Sequence, residues 1–337
     1  MTVNLNKLFL RGNKFLGSKI PIMGGAMTWL SERNLVSAIS NAGGFGIIAC
    51  GSMKVEELDR EIIETKKKTR KPFGINLILI HPQIDDLINC CINNKVSLVI
   101  FAGGFPKKRQ ISALKQKNIK TMCFATTLSI AKKMIDNGID ALVLEGNEAG
   151  GHIGPVSVNV LVQEILPEIQ DVPIFVAGGI GRGEIILKYL ELGAAGCQIG
   201  TRFVCSKESI AHDNFKNIFI KSEARNAQVS VKLDERFPVI AVRAIENKAT
   251  KEFVNEQKKL LNLISKKKIS LKDAQLAIEH FWAGSLKKAV IDGDIENGSL
   301  MAGQSVSLVK EVQSVEDIIR ELVFQIKNQI NSQNKAI

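Results

Sequence analysis

Eight short segments, at 20–23, 45–49, 73–79, 98–102, 121–125, 141–144, 173–177 and 197–199, are almost continuously apolar and lack the alternation of a half-exposed strand. Strands read this way when helices cover both of their faces, the condition of a parallel sheet. Amphipathic stretches at 32–41, 83–93, 129–137 and 183–192 lie between them, each long enough for a right-handed crossover. Eight such units in about 200 residues favour closure into a barrel over an open doubly wound sheet. The sequence therefore predicts the α/β class and a (β/α)8 TIM barrel.

Beyond Phe203 the rhythm stops, and the region 206–290 reads as more polar and mostly helical, with 251–265 and 270–282 its clearest periodic stretches. We expect a barrel over 1–205, completed by 291–328, with an inserted helical lid or substrate domain at 206–290. The final residues, 329–337, are expected to fray. Ser52 is the expected N-cap of a helix at 53–68, and Ser314 that of a helix at 315–327.

At 337 residues, 45% hydrophobic and 23% charged, the chain can bury a barrel-sized core plus an appendage, and the disordered and fibrous classes are excluded. No stretch reaches the roughly 18 apolar residues of a membrane span, and the N-terminus lacks the features of a secretory signal. A cytoplasmic protein without a membrane partner is expected. The six cysteines contain no Cys-x-x-Cys pair and sit in apolar surroundings, so they read as reduced, buried thiols and not as a disulfide framework or a metal site. The net charge of +11 gathers in clusters such as Lys66 to Lys68, Lys107 to Arg109 and Lys266 to Lys268. The first of these ends a helix that begins with Glu56, Glu57 and Asp59, as the helix dipole favours. No aromatic residues interleave with the clusters, so nucleic acid is not expected, and an acidic protein suits this charge better.

In a barrel of this kind the loops at the C-terminal ends of the strands carry the function. The first segment ends in Met23, Gly24 and Gly25, whose backbone can lie against a flat ligand. The third holds Asn76 among apolar neighbours. Its amide must find partners, and it suits either the polar edge of a heterocycle or a backbone group of the protein. Gly178 and Gly179 follow the seventh segment, and Gly200 and Thr201 the eighth. Two adjacent turns of this kind, at helix N-termini, form a phosphate cradle, so a phosphorylated cofactor is expected. The sixth segment runs straight into Glu145-Gly-Asn-Glu-Ala-Gly-Gly-His-Ile-Gly154, a mobile-looking glycine loop with one imidazole at the same mouth. An imidazole exchanges protons near neutrality, which makes His152 the candidate catalytic group. Glu145 and Glu148 flank it, and either orient the ring or are simply solvated. His81, His212 and His280 have no comparable setting.

Seven motifs occur in order: Pro21-Ile-Met-Gly-Gly25, Ala42-Gly-Gly-Phe-Gly-Ile-Ile48, Pro72-Phe-Gly-Ile-Asn76, the run from Glu145 to Gly154, Ala177-Gly-Gly-Ile180, Gly200-Thr-Arg-Phe203 and Met301-Ala-Gly-Gln304. Together they resemble the FMN-dependent nitronate monooxygenase family, formerly the 2-nitropropane dioxygenases, which also contains the enoyl-acyl-carrier-protein reductase II enzymes. The likeness runs from about residue 16 to about 325. It implies a TIM barrel with FMN at its mouth and a helical lid. By motif position, Met23, Gly24, Gly25, Asn76 and Gly151 would line the flavin. Gly178, Gly179, Gly200 and Thr201 would hold its phosphate, and His152 would be the catalytic histidine. The chain departs from the family at strand one, where Met23 stands in place of the usual glutamine.

The resemblance implies two chemistries. One is oxidation of alkyl nitronates with oxygen, or a related NAD(P)H:flavin oxidoreductase activity. The other is reduction of an enoyl thioester with NADH or NADPH as co-substrate, and the stretches 207–212, 242–247 and 293–299 are similar to that branch. The substrate is accordingly a small molecule or an acyl thioester, with an acidic acyl carrier protein as partner in the second case and a homodimer as the expected assembly. A phosphate-binding barrel without redox chemistry is the alternative of another class. A barrel like inosine monophosphate dehydrogenase is disfavoured, since no cysteine nucleophile follows the glycines of the sixth segment.

Overall fold

The structure, a computed structural model, describes residues 3–234 and 240–335. Among the described residues the strands are β1 (Ile22–Gly24), β2 (Gly46–Ala49), β3 (Phe73–Ile78), β4 (Leu98–Ala102), β5 (Lys120–Phe124), β6 (Ala141–Glu145), β7 (Gly151–His152), β8 (Ile174–Ala177), β9 (Gly196–Ile199), β10 (Ala227–Val229), β11 (Val242–Ile245) and β12 (Leu300–Met301). Eight of them form one parallel sheet in the order β1-β9-β8-β6-β5-β4-β3-β2. The sheet closes on itself where Phe45 N donates to Ile22 O and Gly24 N to Phe45 O, each at 2.9 Å. These are the eight strands expected from the apolar runs, and the fold is the (β/α)8 barrel.

Alternation along the strands divides the core into two shells. Met23, Ile47, Leu98, Ile100, Met122, Ala141, Val143 and Phe175 fill the interior. Their neighbours Ile22, Ile48, Ile75, Val99, Leu142, Val176 and Cys197 face the helices outside. A helix not anticipated from the sequence, Leu5–Leu16, stops the N-terminal end of the barrel. Leu16 and Phe15 join the interior cluster, and the Phe15 and Phe175 ring centroids are 6.0 Å apart. Asn4 caps this helix at one end, and Gly17 ends it at φ 73°.

The helix Val315–Lys335 packs against Gly183–Glu191 and Arg33–Asn41, filling the last position of the outer ring. Ser314 caps it as expected, its Oγ accepting from Asp317 N at 3.1 Å. The helix does not fray at 329 but runs on to Lys335, because Ile330 is buried and Asn334 Oδ1 accepts from Val3 N at 3.0 Å. The expected Ser52 cap is also corrected. The helix begins at Val55, and Glu57 reaches back to Lys54 N at 2.8 Å, while Ser52 belongs to a turn closed by Met53 N and Cys50 O.

Where Gly183–Glu191 meets the last helix, a Cβ on Gly183 would stand 2.1 Å from Leu322 O, so the two backbones touch. Gly183→Ala is expected to force them apart at a cost of about 1–3 kcal/mol, the usual range for overpacking. A melting temperature several degrees lower would be its sign. An unchanged melting temperature would show that this contact yields freely.

The region expected to be a helical lid holds the helices Asp213–Lys221, Lys248–Ser265 and Leu271–Val290, and it also contributes β10 and β11. These two, with β12 and β7, make a four-stranded sheet, in which Val242 pairs with His152, Arg243 with Gly151 and Ala244 with Met301. Strands of two to four residues are too short to show periodicity, so this sheet left no mark on the sequence. Trp29, in the loop after β1, ties the longest of these helices to the barrel, its Nε1 donating to Ala283 O at 2.8 Å. All six cysteines are buried, and burial pushes the Cys90 thiol up to about 11. No described helix is long and apolar enough to cross a membrane.

Candidate active site

Each barrel strand that sends apolar side chains inward ends its inward row at the mouth. On β6 the row is Ala141, Val143 and then Glu145, and register pairs Glu145 with Ala177 on β8, Ala177 with Gln198 on β9, and Gln198 with Met23 on β1. Asn76 holds the same place on β3. Three polar side chains thus crown an apolar floor. Asn76 donates weakly to Ile100 O at 3.4 Å, whereas the Glu145 and Gln198 side chains have no partner among the described residues. A buried amide and a carboxyl without partners mark a surface built to meet a polar ligand. Glu145 keeps a little surface toward the open mouth, but it sits low in the concavity, where loss of water pushes its carboxyl up to about 8. Sequence reasoning passed over Gln198 and gave Glu145 little weight. The alternation of β6 and β9 was the signal that could have found both.

The glycine turns lie beside this crown. Gly178 and Gly179 take φ of 97° and 69°, and Gly151 takes 76°, left-handed values that a side chain would strain. A Cβ on Gly25 would come within 3.0 Å of Gly200 Cα, so these two backbones are in contact. Among the described residues the N–H groups of Gly178, Gly179 and Gly200 donate to no protein acceptor. Thr201 Oγ1 accepts from Gly303 N at 3.0 Å and keeps its own hydrogen to donate. Unpaired N–H groups converging at a strand-to-helix turn form an anion cradle. With the polar crown beside it, this set of donors fits FMN, a flat ring with polar edges joined to a phosphate. Of the strand-one residues, Met23 is fully buried in the floor, Gly24 faces Ile39 outside the barrel, and only Gly25 reaches the turn of Gly200.

His152 is held rather than mobile. Its strand β7 is paired with β11, and Arg243 Nε donates to Asn147 O at 2.9 Å within the same loop. On the other side, a Cβ on Gly150 would stand 2.5 Å from Gly303 N, so the loop is clamped between β11 and the chain after β12. Neither flanking carboxylate touches the ring. Glu148 accepts from Val158 N at 3.0 Å, the first N–H of the helix Val158–Ile165 that Ser157 caps, and Glu145 belongs to the crown. The carboxylate that does approach is Glu279, on the helix Leu271–Val290, with Oε2 3.2 Å from His152 Nε2. Its angle makes no hydrogen bond, so the enclosed Nε2 is close to a charge but unpaired. Nothing in the sequence joins Glu279 to His152, because only the tertiary fold brings them together. His81 and His212 are structural in setting, accepting from Gln83 N and Asn214 N, each at 3.1 Å, and His280 is exposed.

The family model described as nitronate monooxygenase matches residues 11–90 and 83–325 of the chain. A dehydrogenase of Rhodococcus jostii, acting on a 5-hydroxy-7a-methyl-1-oxo-octahydro-1H-indene-4-carboxyl-CoA, is 28% identical, with 95% of this chain and 96% of the relative covered. A probable nitronate monooxygenase of Staphylococcus saprophyticus is 27% identical over 84% of this chain and 94% of its own. Among solved structures, FabK from Thermotoga maritima is 34% identical, with a TM-score of 0.86 and coverage of 97% of this chain and 99% of that one.

Proposed function

The chain belongs to the nitronate monooxygenase family, and from that premise we propose that it is an FMN-dependent oxidoreductase working at the barrel mouth, with His152 as its proton-handling group. The observation that carries this reading is the convergence of the unpaired N–H groups of Gly178, Gly179 and Gly200 with the polar crown, all within one mouth that His152 borders. Bound FMN would supply the electron transfer, and the protein supplies orientation and electrostatics. Gly178, Gly179, Gly200 and Thr201 would hold the phosphate, while Asn76, Gly151, Gln198 and Glu145 would meet the ring and its chain. The floor that includes Met23 keeps water from beneath. In the nitronate reading, an alkyl nitronate is oxidised with oxygen and His152 manages the proton. A small molecule beside the flavin is all this requires.

A second reading, reduction of an enoyl thioester with NADH or NADPH, draws support from the resemblance of 207–212, 242–247 and 293–299 to the enoyl reductase II branch and from the likeness to a dehydrogenase named for a CoA thioester. There His152 would give the proton that completes the reduction. An acidic acyl carrier protein belongs to this reading as a proposed partner, and a homodimeric assembly is proposed under either reading. Anaerobic addition of propyl nitronate, NADH and NADPH to separate samples distinguishes the two. Bleaching of flavin absorbance by nitronate alone is expected of the first and sinks the second, and bleaching by a nicotinamide alone does the reverse. Purified protein that has no flavin absorbance, and gains none with added FMN, overturns both.

A further inference from the structure

The helix Leu271–Val290 presents one stripe to the mouth. Glu279, Ala283 and Lys287 are spaced four residues apart and so lie one above another on a single face. Ala283 O accepts from Trp29 Nε1 at 2.8 Å, and Lys287 Nζ lies 5.1 Å from the centroid of the same ring. Trp29 itself takes a left-handed φ of 68°, a conformation that a bulky residue keeps only when its surroundings demand it. These two contacts fix the height and rotation of the helix. One turn nearer its N-terminus, Glu279 then stands 3.2 Å from His152 Nε2. Among the described residues Glu279 has no other charged or hydrogen-bonding partner, and Nε2 is enclosed with no alternative acceptor. Nδ1 has no partner among the described residues either, and it is not enclosed.

We propose that Glu279 is a positioning residue for His152: its carboxylate keeps the neutral ring protonated at Nε2 and so leaves Nδ1 as the basic nitrogen available to substrate. The inference rests on the reading of His152 as the proton-handling group. A carboxylate beside one ring nitrogen selects the tautomer protonated there, and the opposite nitrogen then carries the lone pair. The 3.2 Å separation is already within hydrogen-bond reach, so the pair lacks only alignment, and such pairs tighten when substrate is present. Trp29, by setting the register of the helix, decides whether Glu279 arrives at the right height.

The test is a double-mutant cycle on the FMN-loaded enzyme, using whichever substrate bleaches the flavin. Glu279→Ala is expected to lower kcat about tenfold or more, with KM changed less than about twofold and flavin content unaltered. Added to His152→Ala, the same substitution is expected to change kcat by less than about twofold, because the ring it positions is gone. Glu279→Gln, whose amide oxygen still accepts from Nε2, should recover most of the loss. Ring 15N shifts of the flavin-free protein, assigned by the signal that His152→Ala removes, should report the Nε2-protonated tautomer in the parent and a mixture in Glu279→Ala. Losses that multiply in the double variant, or a tautomer unmoved by Glu279→Ala, overturn the proposal. Full activity of His152→Ala overturns the underlying reading instead. If Glu279→Ala fails to fold, Glu279→Gln with the 15N measurement decides alone, a tautomer other than the parent's counting against the proposal.

Discussion

His152→Ala is expected to yield a folded, yellow protein whose kcat has fallen by about 10²–10⁴-fold, the range that a positioned proton-transfer group contributes. The fold should survive because β7 is held through its backbone, which alanine retains, and because the imidazole is partly exposed and plugs no cavity. Flavin should survive because the groups proposed to hold its phosphate are those of the turns after β8 and β9, which this substitution leaves in place. Flavin content, melting temperature and steady-state rates together make the check. A variant that keeps FMN and turns over at the parental rate would remove the role assigned to His152. One that loses FMN would show that the ring binds the cofactor and does not act only on substrate.

The second large effect is on stability. Glu145→Gln is expected to flatten the pH dependence of the flavin-free protein between about pH 5 and pH 8. Burial raises the folded carboxyl from its ordinary 4.5 to about 8. Between these values the folded chain holds a proton that the unfolded chain has released, so stability falls as pH rises, by about 1.4 kcal/mol per pH unit. The contribution is complete below the unfolded value and gone above the folded one. Water at the open side of Glu145 trims the total to a few kcal/mol, less than the full window would give. Glutamine imitates the neutral acid at every pH. The variant should therefore match the parent near pH 5 and melt higher than it at pH 8. Identical pH profiles for the two proteins would show that the Glu145 carboxyl titrates as an ordinary surface acid.

The barrel was legible because strands covered on both faces leave near-continuous apolar runs, and eight of them leave little choice of architecture. The loop that carries His152 and the turns at Gly178 and Gly200 could be placed at the barrel mouth from the sequence because each begins where such a run ends. Other features escaped for particular physical reasons. Glu279 reaches His152 only through helix packing, which no local pattern encodes. The strands β7 and β10 to β12 are too short for a period to appear. The helix Leu5–Leu16 carries its signals, Asn4 before and Gly17 after an amphipathic stretch, but it lies outside the repeating β/α units. Glu148 sat nearest His152 in sequence, yet its carboxylate was taken by the backbone N–H of Val158, so proximity along the chain misled.

The small sheet has a consequence for how this protein can be taken apart. Gly151 and His152 are one strand of a sheet whose central member, β11, comes from the inserted region, and Arg243 of that member also holds Asn147 and Ala227 by their carbonyls. The barrel is therefore not a self-sufficient module with a removable accessory. A chain cut back to its eight β/α units would still form the strands, but it would leave the edge of the histidine loop unpaired, and its histidine would be untethered. For the same reason, grafting the inserted region of a relative would replace more than a cover: it would replace part of the wall on which the chemistry is proposed to stand.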